Sequence, residues 1–165
     1  MKKELLVGVL GLVLVLVASV WFFRPGPETI ATTNSSVSSL SASEISYDFG
    51  RISMKNGVVE KTFTVTNTSS EDVLIEKITT SCMCTTAFIT RASGEEKGPY
   101  GMVGHGASVP KANETIKAGE TRTVRVVFDP NAHGPAGVGL IERLVMLEDS
   151  YGDRLDLSIS VTVTP

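Results

Sequence analysis

Leu155-Asp156-Leu157-Ser158-Ile159-Ser160-Val161-Thr162-Val163 alternates apolar and polar residues without a break. Side chains on a β-strand point to opposite faces in turn, so five apolar residues on one row describe a strand with one buried face. The same two-residue period recurs upstream. Residues 121–128 are Val-rich, and 139–148 form another such run. Val59, Phe63 and Val65 share one face of a segment whose other face carries Thr62, Thr64 and Thr66. Further strands are expected over 73–79 and 84–90, and Ile45, Tyr47 and Phe49 alternate up to Gly50. Turn residues separate the runs, as in 67–72.

About seven short strands in about 120 residues, with no helix-period segment among them, is the pattern of an antiparallel β-sandwich of immunoglobulin-like type. The antibody hallmarks are missing. The single Trp is Trp21, far upstream, and the only cysteines, Cys82 and Cys84, are two residues apart. Apolar packing therefore has to hold the sandwich. The expected core is Val59, Phe63, Val65, Ile75, Phe88, Val124, Val126, Phe128, Val145, Leu157, Ile159 and Val161.

Upstream of the strands the composition changes twice. Residues 5–23 are 19 residues without a charge, the length of a membrane-spanning helix. A signal peptide is the rival reading, with Lys2 and Lys3 as its basic region and Val17-Ala18-Ser19 as its cleavage site. Val20, Trp21, Phe22 and Phe23 carry the apolar run past that site, which favours an uncleaved anchor, and Trp21 suits a membrane interface. Lys2 and Lys3 precede the span, whereas Arg24 is followed by no Lys or Arg until Arg51. The positive-inside rule then places the N-terminus in the cytoplasm and the rest on the extracytoplasmic side, periplasmic or at the cell surface. Residues 24–45, with Pro25-Gly26-Pro27 and a Ser/Thr-rich stretch, read as a flexible tether that would span about 25 Å. The domain organisation expected is an anchor over 1–23, a tether over 24–45 and a sandwich over 46–165.

Without residues 1–23 the chain holds 13 basic and 17 acidic residues, about −4 in all. That balance disfavours nucleic acid or an anionic membrane surface as partner. Asn34, Asn67 and Asn113 head Asn-x-Ser/Thr triplets, read here as chance matches to a short pattern.

The motifs Tyr47-Asp48-Phe49-Gly50-Arg51-Ile52, Lys61-Thr62-Phe63-Thr64-Val65-Thr66-Asn67-Thr68 and Ser81-Cys82-Met83-Cys84-Thr85 resemble the bacterial domain-of-unknown-function family 1573. Lys117-Ala118-Gly119-Glu120, before a Val-rich strand that ends at Phe128-Asp129, fits it as well. The resemblance runs over about residues 45–163. It implies an immunoglobulin-like sandwich, similar to the repeats of the HYDIN and ASPM proteins, in an exported or surface-attached bacterial protein, and it implies no activity. Met83 departs from the Cys-Gly-Cys-Thr usual in the family.

The reactive atoms of the chain sit in three segments: Cys82 and Cys84; Met102 and His105 in the long connection 91–113; and His133 in a Gly/Pro-rich connection after the fifth strand. Thiolate, thioether and imidazole together select copper, Cu(I) above all, and zinc second. On a regular strand the two thiols would stand about 6.5 Å apart, too far for one ion unless the backbone bends. The other reading of these residues is His capping Gly-rich turns and thiols packed in the sandwich. A redox role for Cys82 and Cys84 is a further candidate in an oxidising compartment, although no basic residue adjoins them in sequence to lower a thiol pKa. In an antiparallel meander the connections after the third and fifth strands share an end, so His133 is expected nearer the cysteines than His105. No nucleophile-elbow or phosphate-loop pattern is present, and Glu142, Arg143, Glu148, Asp149 and Asp153 read as solvated strand faces and turns. Two functions stay open: a non-catalytic, membrane-tethered module that binds a protein through loops or an edge strand, and a copper or zinc domain.

Overall fold

The computed structural model describes residues 39–104 and 111–165. The expected anchor over 5–23, the tether up to residue 38 and His105 lie outside the described residues. Among the described residues no helix is long and apolar enough to cross a membrane.

Ten strands form two five-stranded sheets. The first sheet contains β1 (Leu40–Ala42), β3 (Val59–Asn67), β8 (Thr121–Phe128), β5 (Thr85–Thr90) and β6 (Glu96–Tyr100), in that spatial order. The second contains β2 (Ser46–Ser53), β10 (Arg154–Thr164), β9 (Gly139–Asp149), β4 (Val73–Thr80) and β7 (Glu114–Ile116). Buried residues alternate along the long strands of both sheets and meet in one apolar cluster. The period-2 rows of the sequence thus become the inner faces of a β-sandwich.

All seven expected strands are present, and the structure corrects the reading at four points. The sandwich begins earlier than residue 46, because Leu40 is buried and β1 pairs with β3 inside the stretch assigned to the tether. The long connection 91–113 holds a strand beyond the seven expected, β6, which folds back on β5. The sheets are not wholly antiparallel, since β2 runs parallel to β10. Finally, Phe88 is not core. Ala87 and Ile89 point inward, and Phe88 lies on the outer face with the Arg125 guanidinium 4.2 Å from its ring centre. A bulge between Ala87 and Ile89 accompanies this, and Gly98 sits against it: a Cβ there would meet the Ala87 carbonyl oxygen at 2.8 Å. Of the other residues expected in the core, Val59 is half-buried against it and the rest are buried.

One end of the sandwich is closed by polar chemistry. Arg122 lies on the inward row of β8, where its Nε is 3.5 Å from the buried Glu114 carboxylate and its guanidinium also meets Glu120 at 2.9 Å. Nearby, Asn67 is fully buried and holds the β3–β4 turn. Its Nδ2 donates to the Glu71 and Ile116 carbonyls at 2.7 and 2.9 Å, and its Oδ1 accepts from the Ser69 amide and hydroxyl. Asn67 in its Asn-x-Ser triplet is therefore a structural residue. Asn67→Ala would strand the buried Ile116 carbonyl and loosen the turn at Ser69, and is expected to cost about 2–3 kcal/mol, read as a lower urea midpoint at unchanged slope.

Candidate functional site

Several connections cross from one sheet to the other at the opposite end, β2–β3 among them, and two of these carry the reactive atoms. The β4–β5 connection carries Ser81-Cys82-Met83-Cys84, and the β8–β9 connection carries His133. Because both crossings leave from this end, segments about fifty residues apart in sequence meet there.

The cysteine segment is a turn rather than a strand. The Thr85 amide donates to the Cys82 carbonyl at 3.1 Å. The buried Thr80 hydroxyl lies within 2.9 Å of the Cys82 carbonyl and 3.0 Å of the Thr85 carbonyl, so one side chain ties both sides of the turn. Ser81 fastens it to β9 by a reciprocal pair, its amide donating to the Leu144 carbonyl at 3.0 Å and its Oγ accepting from the Leu144 amide at 2.9 Å. The Asp129 amide donates to the Cys84 carbonyl at 2.9 Å. Asn113 is the only non-glycine at positive φ among the described residues, so Met83 adopts an ordinary backbone conformation and the turn has no need of glycine. The Met83 side chain is exposed.

His133 is placed by its own turn. The Asp129 carboxylate accepts from the Asn131 amide at 2.8 Å, and the Asn131 side chain donates to the Met54 carbonyl at 2.9 Å. A 3-10 turn over Gly134–Gly137, with Pro135 in its first turn, follows directly. Gly137 is buried against His133: a Cβ there would come within 3.3 Å of the His133 Cβ.

The result is a compact group. The Sγ atoms of Cys82 and Cys84 and a ring nitrogen of His133 all lie within 4.8 Å of one another, with Cys82 Sγ 3.1 Å from His133 Nε2. The bend supplies what a regular strand would have denied. Both cysteines are buried and unbridged, and His133 is exposed. Met102 follows β6, half-buried, next to Gly101, whose carbonyl accepts from the Thr80 amide at 3.2 Å.

Sequence reasoning missed Arg143. Its Nε–H donates to Cys84 Sγ at 3.3 Å, so it is not the solvated face residue expected, and a basic residue does adjoin the thiols in space. The signal was there in the phase of β9: Ile141, Arg143, Val145 and Leu147 occupy one row, and that row faces inward.

The thiols titrate apart. Burial pushes the Cys82 thiol up, but the Cys84 thiol, His133, the Cys84 amide and Arg143 outweigh it and bring Cys82 down to about 7. The Cys84 amide contact to Cys82 Sγ is 3.3 Å. Burial raises Cys84, and the hydrogen bond it gives to Cys82 raises it further. Alkylation of Cys82 by iodoacetamide should therefore reach half its limiting rate near pH 7, with Cys84 reacting only at higher pH. Cys84→Ala, which removes the largest of the stabilising donors, should move the Cys82 midpoint upward; peptide mapping across pH reads both. A lowered thiol pKa adds stability above the unfolded value of about 8.5, and this is lost as pH falls through about 7.

No curated protein sequence matches this chain. A protein of unknown function from Porphyromonas gingivalis W83 has a similar structure, with a TM-score of 0.54 at 13% identity, over 74% of this chain and 46% of that one. The chain thus spans less than half of that protein's length. The PapD-like domain 7 of human CEP192 aligns with a TM-score of 0.46 at 13% identity, over 76% of this chain and 85% of that one. The periplasmic chaperone SfaE aligns at 0.43 and 10% identity, over 76% and 58%. At 13% identity the likeness to the Porphyromonas gingivalis protein is one of fold. Residues 40–98 match the family model described as Protein of unknown function (DUF1573), a span that holds β1 to β5 and the whole cysteine turn. Over this stretch the chain is similar to the DUF1573 family of proteins of unknown function.

Proposed function

We propose that this protein is a non-catalytic, immunoglobulin-like module that holds one soft metal ion, copper first and zinc second, at Cys82, Cys84 and His133. The observation that carries the reading is the convergence of three ligand atoms from two sheet-crossing connections within 4.8 Å. Ligand atoms about 2.0–2.3 Å from a common ion stand about 3.5–4 Å from each other, so sub-ångström shifts close the site. Met102 and His105 remain candidates for a further ligand. In this reading residues 5–23 anchor the chain in a bacterial membrane, with the sandwich extracytoplasmic and no nucleic acid partner.

A protein-binding role through the same end of the sandwich is the second reading. It is supported by exposed apolar side chains around the turn and the clefts beside Arg143: Met83, Val138, Leu140 and Leu144.

Elemental analysis and anaerobic Cu(I) titration of the full chain test the metal. One ion per chain in the wild type and none in Cys82→Ser/Cys84→Ser is the expected result, and equal uptake by both would sink the proposal. For topology, protease added outside spheroplasts should reach residues 24–165 while the N-terminus is retained. A mature chain starting near Val20 would replace the anchor by a cleaved signal peptide.

A further inference from the structure

We infer that Arg143 makes the Cys82–Cys84–His133 centre selective for a monovalent cation, Cu(I), over a divalent one such as Zn(II). The inference rests on the soft-metal reading above and names the charge of the ion that site accepts.

Arg143 stands apart from most arginines of the sandwich. Arg91, Arg122, Arg125 and Arg154 each meet a carboxylate. Arg143 meets sulfur instead: Nε–H points to Cys84 Sγ at 3.3 Å, and a terminal nitrogen donates to the Glu142 backbone carbonyl at 2.7 Å. Carboxylates near the site are otherwise placed. Glu142 neighbours Arg143 on β9, so its side chain leaves from the opposite, exposed face. Asp129 uses its carboxylate to accept from the Asn131 amide.

The charge count then decides between ions. Metal-bound thiols are deprotonated and a ligating imidazole is neutral, whereas a guanidinium keeps its proton. Two thiolates and Arg143 therefore carry −1 together. A monovalent ion brings the centre to zero, and a divalent ion leaves +1. Cys82 is 8% exposed and Cys84 4% exposed, so uncompensated charge is costly here. An N–H···S bond at 3.3 Å puts the guanidinium about 5 Å from an ion seated on the sulfurs. Over that distance one extra unit of charge is worth on the order of a hundredfold change in affinity at protein-surface dielectric, and less under salt.

The test is a pair of competition titrations on the reduced full chain under a non-thiol reductant, Cu(I) and Zn(II) each against a chromophoric chelator. The quantity read is the ratio of the two Kd values. Arg143→Met is expected to improve Zn(II) binding relative to Cu(I) by about tenfold or more, with Arg143→Gln as a second neutral variant. Arg143→Lys, which keeps the charge, should leave the ratio within about threefold of wild type. A ratio that stays there in both neutral variants, or that moves equally in the Lys variant, overturns the inference and leaves the metal site standing. Absence of cysteine-dependent binding of either metal to the wild type overturns both.

Discussion

Cys82→Ser alone is expected to abolish stoichiometric Cu(I) binding, with His133→Ala weakening it less. Cys82 Sγ is the hub of the cluster: it receives the Cys84 amide at 3.3 Å and lies 3.1 Å from His133 Nε2. A serine hydroxyl at this position is a hard, neutral donor in place of a soft anion. It also removes half of the negative charge that attracts the ion, while Arg143 stays in place and now repels it. Losing a group that only hydrogen-bonds to a metal ligand costs about 10–100-fold in metal affinity, so losing a thiolate ligand should exceed about 100-fold. His133→Ala leaves two thiolates, enough for a two-coordinate soft ion but not for a four-coordinate zinc site. It should therefore harm Zn(II) binding more than Cu(I) binding. Chelator competition on both variants measures this. Cu(I) affinity unchanged in Cys82→Ser would show that the sulfur is packing only.

The long strands were legible because burial imposes period 2 on them, and Leu157, Ile159 and Val161 fall where the alternation puts them. β1 and β7 have three residues each, too few to display a period, and β6 reads Glu-Lys-Gly-Pro-Tyr with no alternation at all. Pairing direction is a matter between distant segments, so nothing local in Ser46–Ser53 announced a parallel partner in β10. Phase was the harder problem where both rows of a strand are apolar. In Thr85–Thr90, Phe88 is the largest side chain, yet Ala87 and Ile89 face the core because Phe88 finds cover outside under Arg125. The site was half legible. Its atoms are conspicuous in the sequence, and chain direction alone sent the His133 connection toward the cysteines. The bend that brings the two sulfurs together depends on Thr80 and Ser81, whose hydroxyls gave no sign of it. Arg143 was hidden by the habit of assigning charge to solvent.

Phe128→Ala is expected to be the most damaging single change to the fold, at about 3–5 kcal/mol. Phe128 is 1% exposed and ends β8, the strand at the centre of its sheet. It is paired there with Val59 on one side and Thr85 on the other. Truncation opens a ring-sized cavity between strands held on both edges, so the walls have little freedom to collapse. A domain of this size has about 5–15 kcal/mol in all, so about a fifth or more of its stability would go. The loss also reaches the site: Thr85 closes the cysteine turn, and the next residue, Asp129, holds the Cys84 carbonyl. Phe88→Ala is the matched control. The sequence placed both rings in the core, whereas the structure puts only Phe128 there. Phe88 should cost about 1 kcal/mol, mostly its contact with the Arg125 guanidinium. Urea unfolding of the two variants separates the cases. Equal midpoints would mean that Phe88, not Ala87 and Ile89, faces inward, and that the phase of β5 is the reverse of the one described.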